Sequence, residues 1–294
     1  MLKHYRLTGN EKEALLRFDP EDTNGIEDRE ELADEFEKLK KELYEEQEKL
    51  FASKTNGVLI LFQGMDCSGK DGVIKKVLAE LNPQGFRAES FKAPTTEEAA
   101  HDFLWRTHKV TPPKGFITAF NRSYYEDVLI TRVHKLVDDE EVGRRFKHIT
   151  RFEKLLADSG IALVKIFLHI SPDFQLKKIR ERMVNPEKLW KFDHSDLEER
   201  RYWDEYQAAY NDVFKHTATK RHPWYIVPAN HRWFRDYLAL KIIVSAFKEL
   251  NLTYPQVDLA KYKPLLEHDP LAQIRAEQAV KSAKEQKKKQ EAKA

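Results

Sequence analysis

Cysteine is nearly absent from this chain. The single Cys67 among 294 residues excludes an internal disulfide and suits a reducing compartment. No stretch of about eighteen apolar residues occurs, so no membrane-spanning helix is expected. The opening Met1-Leu2-Lys3-His4-Tyr5-Arg6 lacks the apolar core of a secretion signal, and a cytoplasmic protein is expected. An excess of one charge sign is also lacking. The 51 basic residues face 49 acidic ones, which excludes a global field for nucleic acid. From Leu271 onward seven Arg and Lys stand against three Glu, an excess of four. With a whole-chain charge of +2, the preceding chain carries −2. There is no internal repeat. Eleven histidines offer no zinc pattern: His101 and His108 are seven apart and His216 and His222 six apart, and neither is a helical i, i+4 pair.

What is present is an ordinary apolar share, 41%, and a high charged share, 34%, on a chain long enough for a sizeable core. Residues 27–51 carry Leu32, Phe36, Leu39, Leu43 and Leu50 at helical spacings, an amphipathic helix with a solvated charged face. Five short apolar runs follow, at 58–62, 86–91, 116–120, 163–170 and 224–227. The first is apolar throughout and reads as a central strand buried on both faces; the second is mixed and reads as nearer an edge. Helical patterns lie between them at about 71–81, 96–106, 124–136, 140–156, 174–183, 196–215 and 234–250. The alternation predicts right-handed crossovers and a parallel sheet in a three-layer α/β/α sandwich. An Arg-, Lys- and Trp-rich stretch interrupted by Pro186 reads as a helical lid at about 180–201. Trp203, Tyr206 and Tyr210 read as core rather than base-stacking groups. The expected organisation is a single domain over 1–270. A basic tail over 271–294, helical or disordered, carries no catalytic work.

Gly64-Met65-Asp66-Cys67-Ser68-Gly69-Lys70 follows the first run and opens a helix with Val73, Ile74, Val77, Leu78 and Leu81 on one face. This glycine–lysine spacing lets successive backbone N–H groups wrap a phosphate at a helix N-terminus. Lys70 then reaches the more distal phosphates, and Gly64, Met65, Cys67, Ser68, Gly69, Asp71 and Gly72 form the expected cradle. Two departures stand out. Asp71 takes the place of the Ser or Thr whose hydroxyl commonly holds Mg²⁺. Asp66 lies inside the loop, where it would repel phosphate without a divalent cation between them. Asp66 is therefore the expected Mg²⁺ ligand, with Mn²⁺ as an alternative ion. Cys67 reads as a small residue filling a tight turn.

The third run leads into Asn121-Arg122-Ser123-Tyr124-Tyr125-Glu126-Asp127. Polar residues at the carboxyl ends of parallel strands converge on the ligand crevice. Asn121 is thus expected to face the loop in the place of a metal-binding acid, with Arg122 neutralising phosphoryl oxygens. Arg180 and Arg182 of the lid join them, because a guanidinium fork grips two oxygens at once. Lys75, Lys76 and Arg132 are candidates for a basic track, although each taken singly reads as a solvated surface charge.

Together Gly64-Met-Asp-Cys-Ser-Gly-Lys-Asp-Gly72, Asn121-Arg-Ser-Tyr-Tyr-Glu-Asp127 and Arg182-Met-Val-Asn-Pro-Glu-Lys-Leu-Trp-Lys191 resemble the polyphosphate kinase 2 family. The resemblance runs over about residues 28–254, and Trp203-Asp-Glu-Tyr206, Tyr210 and Pro223-Trp-Tyr-Ile-Val-Pro-Ala229 agree with it. It implies a P-loop kinase fold like that of thymidylate kinase, with inorganic polyphosphate as donor and adenine or other purine nucleotides as acceptors. It also implies a homo-oligomer, dimer or tetramer. Where the family pattern usually has Asp, this chain has Asn121. Asn followed by Glu126 resembles the class III members, which carry AMP through ADP to ATP. A neutral amide is a poorer Mg²⁺ ligand, and Glu126 is the residue expected to supply the missing charge. The expected catalytic set is Asp66, Lys70, Asn121, Arg122, Glu126 and Arg182, since phosphoryl transfer needs positioning and charge neutralisation rather than a covalent nucleophile.

Two other readings stay open. One is an ATP-dependent nucleoside monophosphate kinase, against which Asp71 and the lid motif count. The other is a non-enzymatic nucleotide- or nucleic-acid-binding protein using the basic tail, against which the near-neutral body counts.

Overall fold

The computed structural model describes residues 1–9, 11, 13–264 and 269–291. Its strands are Arg6–Leu7 (β1), Gly57–Gln63 (β2), Phe86–Ser90 (β3), Ile117–Asn121 (β4), Ile161–His169 (β5) and Trp224–Pro228 (β6). They form one sheet in the order β1-β6-β5-β2-β4-β3. The fully apolar run is β2, buried at every position and paired in parallel with β4 and β5. The mixed run is β3, half-exposed at the sheet edge. The parallel pairing is broken only by β1, which runs antiparallel to β6 through Arg6 with Tyr225 and Leu7 with Trp224. No periodic signal can mark a two-residue strand, so five expected strands became six.

The principal helices are Ala33–Ser53 (α1), Lys70–Leu78 (α2), Thr96–Ala99 (α3), Trp105–His108 (α4), Ile130–Val133 (α5), Asp139–Asp158 (α6), Pro172–Val184 (α7), Ser195–Glu199 (α8), Trp203–Thr217 (α9), Arg232–Glu249 (α10) and Pro270–Glu291 (α11). On one face α10 packs on β5 and β6 and is covered by α1 and α2. Leu39, Leu43 and Leu50 are the buried stripe of α1. Its charged face ties to α10 where Glu35 accepts from Tyr237 Oη and Lys241 Nζ, both at 2.7 Å. On the other face α6 and α9 cover the sheet. Side chains alternate along β5, so Phe167 meets Tyr210 and Phe214 of α9 while Lys165 meets Glu153 of α6. Tyr210 is buried, and Trp203 and Tyr206 pack against the core. The three layers are thus α/β/α.

Three expected helices are broken. In 96–106, the Thr95–Glu98 capping box starts a four-residue turn; Asp102 then hydrogen-bonds Leu104 N at 3.0 Å, and the chain rewinds as α4. Side chains of this kind compete with the helical ladder. In 124–136, a 3-10 turn over Tyr124–Val128 gives way at Leu129 to the single turn of α5. In 196–215, the 3-10 turn Arg200–Tyr202 separates α8 from α9.

The chain divides into two units, Met1–Thr253 and Tyr254–Ala294. The division falls before the expected domain end at residue 270, and the described side chains from 253 onward are all exposed. Within the second unit α11 is a 22-residue helix.

Candidate active site

Parallel pairing brings the carboxyl ends of β2, β4, β5 and β6 to one side of the first unit. The turn after β2 begins at Gly64, with φ +146°, where a Cβ would lie 2.7 Å from the Leu168 carbonyl oxygen. It ends at Gly69, with φ +92°, where a Cβ would run into the Arg235 guanidinium. Both positions need glycine for space as well as for conformation. Between them Cys67 adopts φ +68°, and α2 starts at Lys70.

The Lys70 side chain folds back over this loop, its Nζ donating to Gly64 O at 2.7 Å and Met65 O at 3.2 Å. Burial, then the neighbouring Arg122, pull its pKa below the usual lysine value, against Asp66, Glu126 and Asp71. Asp66 receives Arg122 Nη2 at 2.7 Å. Burial pushes that carboxyl upward, but Lys70, Arg122 and Arg182 together hold it below the usual range, so it stays ionised. Burial raises the Cys67 thiol to about 11, which leaves no thiolate near neutral pH.

The end of β4 lies beside this loop because Asn121 is in register with Phe62. Asn121 Nδ2 donates to Asp71 Oδ1. Arg122 has φ +61°, and its amide donates to Phe62 O at 3.0 Å. Glu126 lies one turn on, 4.0 Å from the Arg122 guanidinium, and accepts from Gln63 Nε2 at 3.0 Å. From the expected lid, Arg182 pairs with Asp196 at 2.7 Å. Gln175 Nε2 of α7 donates to Asp66 O at 3.1 Å. Behind the loop, Arg235 of α10 is 4% exposed and pairs with Asp236 at 2.6 Å.

These groups surround a cleft of about 580 Å³. Its walls carry eight cationic side chains (Lys70, Lys92, Arg122, Lys178, Arg182, Lys188, Arg232 and Arg235) and four carboxylates (Asp66, Asp71, Glu181 and Asp196). That surplus of four positive charges suits a polyanion. Of the expected residues, Asp66, Cys67, Gly69, Lys70, Asp71, Gly72, Asn121, Arg122 and Arg182 line it. Met65 and Ser68 are buried in the loop.

Lys75 and Arg180 are exposed on α2 and α7 outside the cleft. Lys76 borders a neighbouring cavity of about 410 Å³, with Phe36 and Trp233. The structure does not bring Arg132 to the cleft; it pairs with Asp212 at 2.7 Å and Asp139 at 3.3 Å beside another cavity. Lys188 stood in the lid motif, whereas Lys92, Lys178, Arg232 and Arg235 were not read from the sequence. A signal existed for the last two, which follow β6 at the same carboxyl-end side of the sheet. Among the described residues no three His, Cys, Asp or Glu side chains cluster to hold a metal ion.

The Polyphosphate kinase 2 (PPK2) family model matches residues 26–255. The AMP/ADP-polyphosphate phosphotransferase of Meiothermus ruber is 44% identical over 267 residues, which is 90% of this chain and 100% of that protein. The ADP-polyphosphate phosphotransferase of Rhodopseudomonas palustris is 43% identical over 233 residues, 75% of this chain and 81% of that protein. Among solved structures, polyphosphate kinase 2 from Arthrobacter aurescens TC1 superposes with a TM-score of 0.84 at 38% identity, covering 90% of this chain and 95% of that one.

Proposed function

The chain belongs to the polyphosphate kinase 2 family, and we propose that this P-loop kinase phosphorylates both AMP and ADP from inorganic polyphosphate. Polyphosphate-dependent nucleotide phosphotransfer is its reaction class. Acceptance of both nucleotides rests on Asn121 and Glu126, the pair that accompanies AMP use in class III members. The observation that carries the donor assignment is the surplus of cations around a phosphate loop that contains its own ionised acid.

The mechanism is direct. A terminal phosphate oxygen of the nucleotide attacks the end phosphorus of polyphosphate in line, and the shortened chain leaves with the electron pair of the broken P–O bond. Lys70 and Arg122 meet the charge spread over the transferred group, with Arg122 exchanging its Asp66 partner for phosphoryl oxygens. Arg182 and the other cleft cations hold the donor.

Mg²⁺, or Mn²⁺ in its place, fits the cleft in one way. A hard cation shared with substrate phosphates needs only one or two protein carboxylates, and Asp66 is ionised and faces the cleft, with Asp71 beside Asn121 as the second. When bound, it neutralises phosphate charge. Glu126 is engaged by Gln63 and Arg122 and does not line the cleft, so it is not assigned as a direct ligand. Asn121 does line the cleft, but its neutral amide, which donates to Asp71, is a poorer ligand than the two carboxylates. Among the described residues no helix is long and apolar enough to cross a membrane. A cytoplasmic homo-oligomer acting on inorganic polyphosphate and nucleotides, not nucleic acid, is the setting we assign.

The test is incubation with AMP, MgCl₂ and long-chain polyphosphate in the absence of ATP. ADP and then ATP are the expected products. Product only when ATP is supplied as donor would reassign the protein as an ATP-dependent nucleoside monophosphate kinase.

A further inference from the structure

The turn carrying Arg122 and Glu126 is tethered to a buried ionic cluster that phosphoryl transfer does not itself use. Glu153 of α6 and Lys165 of β5 are both almost wholly enclosed and pair at 2.7 Å. The Glu153 carboxylate also accepts from Tyr124 Oη at 2.9 Å and from Tyr125 Oη at 2.5 Å. Lys165 Nζ donates further to Thr217 O at 2.8 Å. Tyr124 and Tyr125 stand two and three residues after Arg122. Burial raises both phenols well above their ordinary pKa, so they remain donors.

The tether meets a geometric need. Arg122 holds φ +61°, a left-handed conformation that a residue with a Cβ resists. Such a conformation persists where the flanking structure over-determines it, and it recurs at functional sites. On one flank, β4 pairing fixes Asn121 against Phe62. On the other, the two hydroxyls anchor the chain to Glu153. Beyond them Asp127 is held by Arg106 at 3.4 Å and Arg145 at 3.8 Å. A buried ion pair is weak evidence for stability, because apolar residues of similar volume often serve as well. A role in placing the turn gives the charges a reason to be there.

We infer that the Glu153–Lys165 pair, acting through the Tyr124 and Tyr125 hydroxyls, positions the Arg122 guanidinium beside the phosphate loop. The pair is a positioning device and touches no substrate. The inference rests on the reading of Arg122 as the group that neutralises the transferred phosphoryl.

The test uses the full chain with Tyr124→Phe, Tyr125→Phe and both together, since each change removes one hydroxyl and keeps the ring. In the double variant kcat is expected to fall about tenfold, with KM for polyphosphate and nucleotide within about threefold, the pattern of an interaction realised in the transition state. In an Arg122→Lys background the same two changes are expected to cost less than about twofold more, because coupled residues are not additive. Unchanged kcat per folded enzyme, with only a lowered melting temperature, overturns the inference. So does a loss that multiplies fully with Arg122→Lys. If the double variant does not fold, Tyr125→Phe alone carries both comparisons. Full turnover in Arg122→Lys by itself refutes the role of Arg122, and the positioning inference falls with it. Full turnover in the tyrosine variants beside an impaired Arg122→Lys refutes only the positioning role.

Discussion

Lys70 shows how one side chain can serve both loop and reaction. Its ammonium rests on the Gly64 and Met65 carbonyls, a position from which it can turn to a phosphate arriving in the cleft. Lys70→Met keeps the buried stem and removes the charge. We expect kcat to fall about 100- to 1000-fold, as when one preorganised donor is lost, with a cooperative unfolding transition retained. Near-wild-type turnover would remove Lys70 from the mechanism. The phosphate-loop residues were legible because their chemistry is tied to a fixed spacing. Gln63 was not, since it looks like the end of an apolar strand; for Arg235 the sequence offers its place after β6, but not its packing against Gly69. Lys75 and Arg132 were read as part of a basic track because charge is visible in a sequence and helix orientation at their positions is not.

His169 supplies a different residue-scale test. It lies at the end of β5, 7% exposed, with Nδ1 buried and without a hydrogen-bond partner among the described residues. Burial lowers its pKa from 6.5 to about 4. The unfolded chain therefore takes up the proton first as pH falls. Stability linked to this group is complete above 6.5 and is lost progressively as pH drops toward 4. The loss between pH 7 and pH 5 is about 2 kcal/mol. Urea unfolding at the two pH values should show it, and His169→Gln should change the difference by about that amount. An unaltered pH slope in that variant would assign the acid sensitivity elsewhere.

At the scale of elements, the clearest lesson comes from the segment after β4. Its apolar spacing predicts a helix over 124–136, but Ser123 Oγ accepts from Tyr125 N at 3.2 Å and the two tyrosines reach inward to Glu153. Local side-chain bonds therefore wind it as a 3-10 turn. Nothing in the sequence links Tyr124 to residues 29 and 41 positions away; only the packing of α6 on β5, which brings Glu153 and Lys165 together beside the turn, does so. By contrast α6 was legible almost to its ends, because Asp138 caps it and its buried residues Val142, Phe146, Ile149, Phe152 and Leu156 keep helical spacing. Glu153→Ala would leave the Lys165 charge buried and unpaired, at a cost of about 3–5 kcal/mol. A denaturant series should read that loss as a shifted midpoint. Glu153→Leu and Lys165→Met combined with Tyr124→Phe and Tyr125→Phe, which leave no buried hydroxyl without its acceptor, should recover most of it, and failure to recover would show that the polar cluster itself holds the fold.

At the scale of the molecule, the sheet order explains why one cleft collects groups from distant parts of the chain. With β2 between β4 and β5, the phosphate loop sits beside the Asn121–Arg122 turn on one side, while the residues after β5 and β6 supply Lys178, Arg182, Arg232 and Arg235 on the other. Every one of these residues precedes Thr253, the end of the first unit, and the family match ends at residue 255. The described side chains beyond Leu252 are all exposed, and the buried core lies within the first unit. A chain ending at residue 255 is therefore expected to keep its melting temperature within about 3 °C, since surface changes away from such features cost at most about 0.5 kcal/mol. It should also keep kcat for AMP and ADP within about twofold. The deletion removes the basic excess of the tail as well, so KM for long polyphosphate measured on the shortened chain tests whether those lysines capture the donor. If turnover falls sharply while the melting temperature holds, the second unit belongs to the working enzyme, with Leu271, Ile274 and Val280, exposed along α11, the first side chains to replace in locating what it contacts.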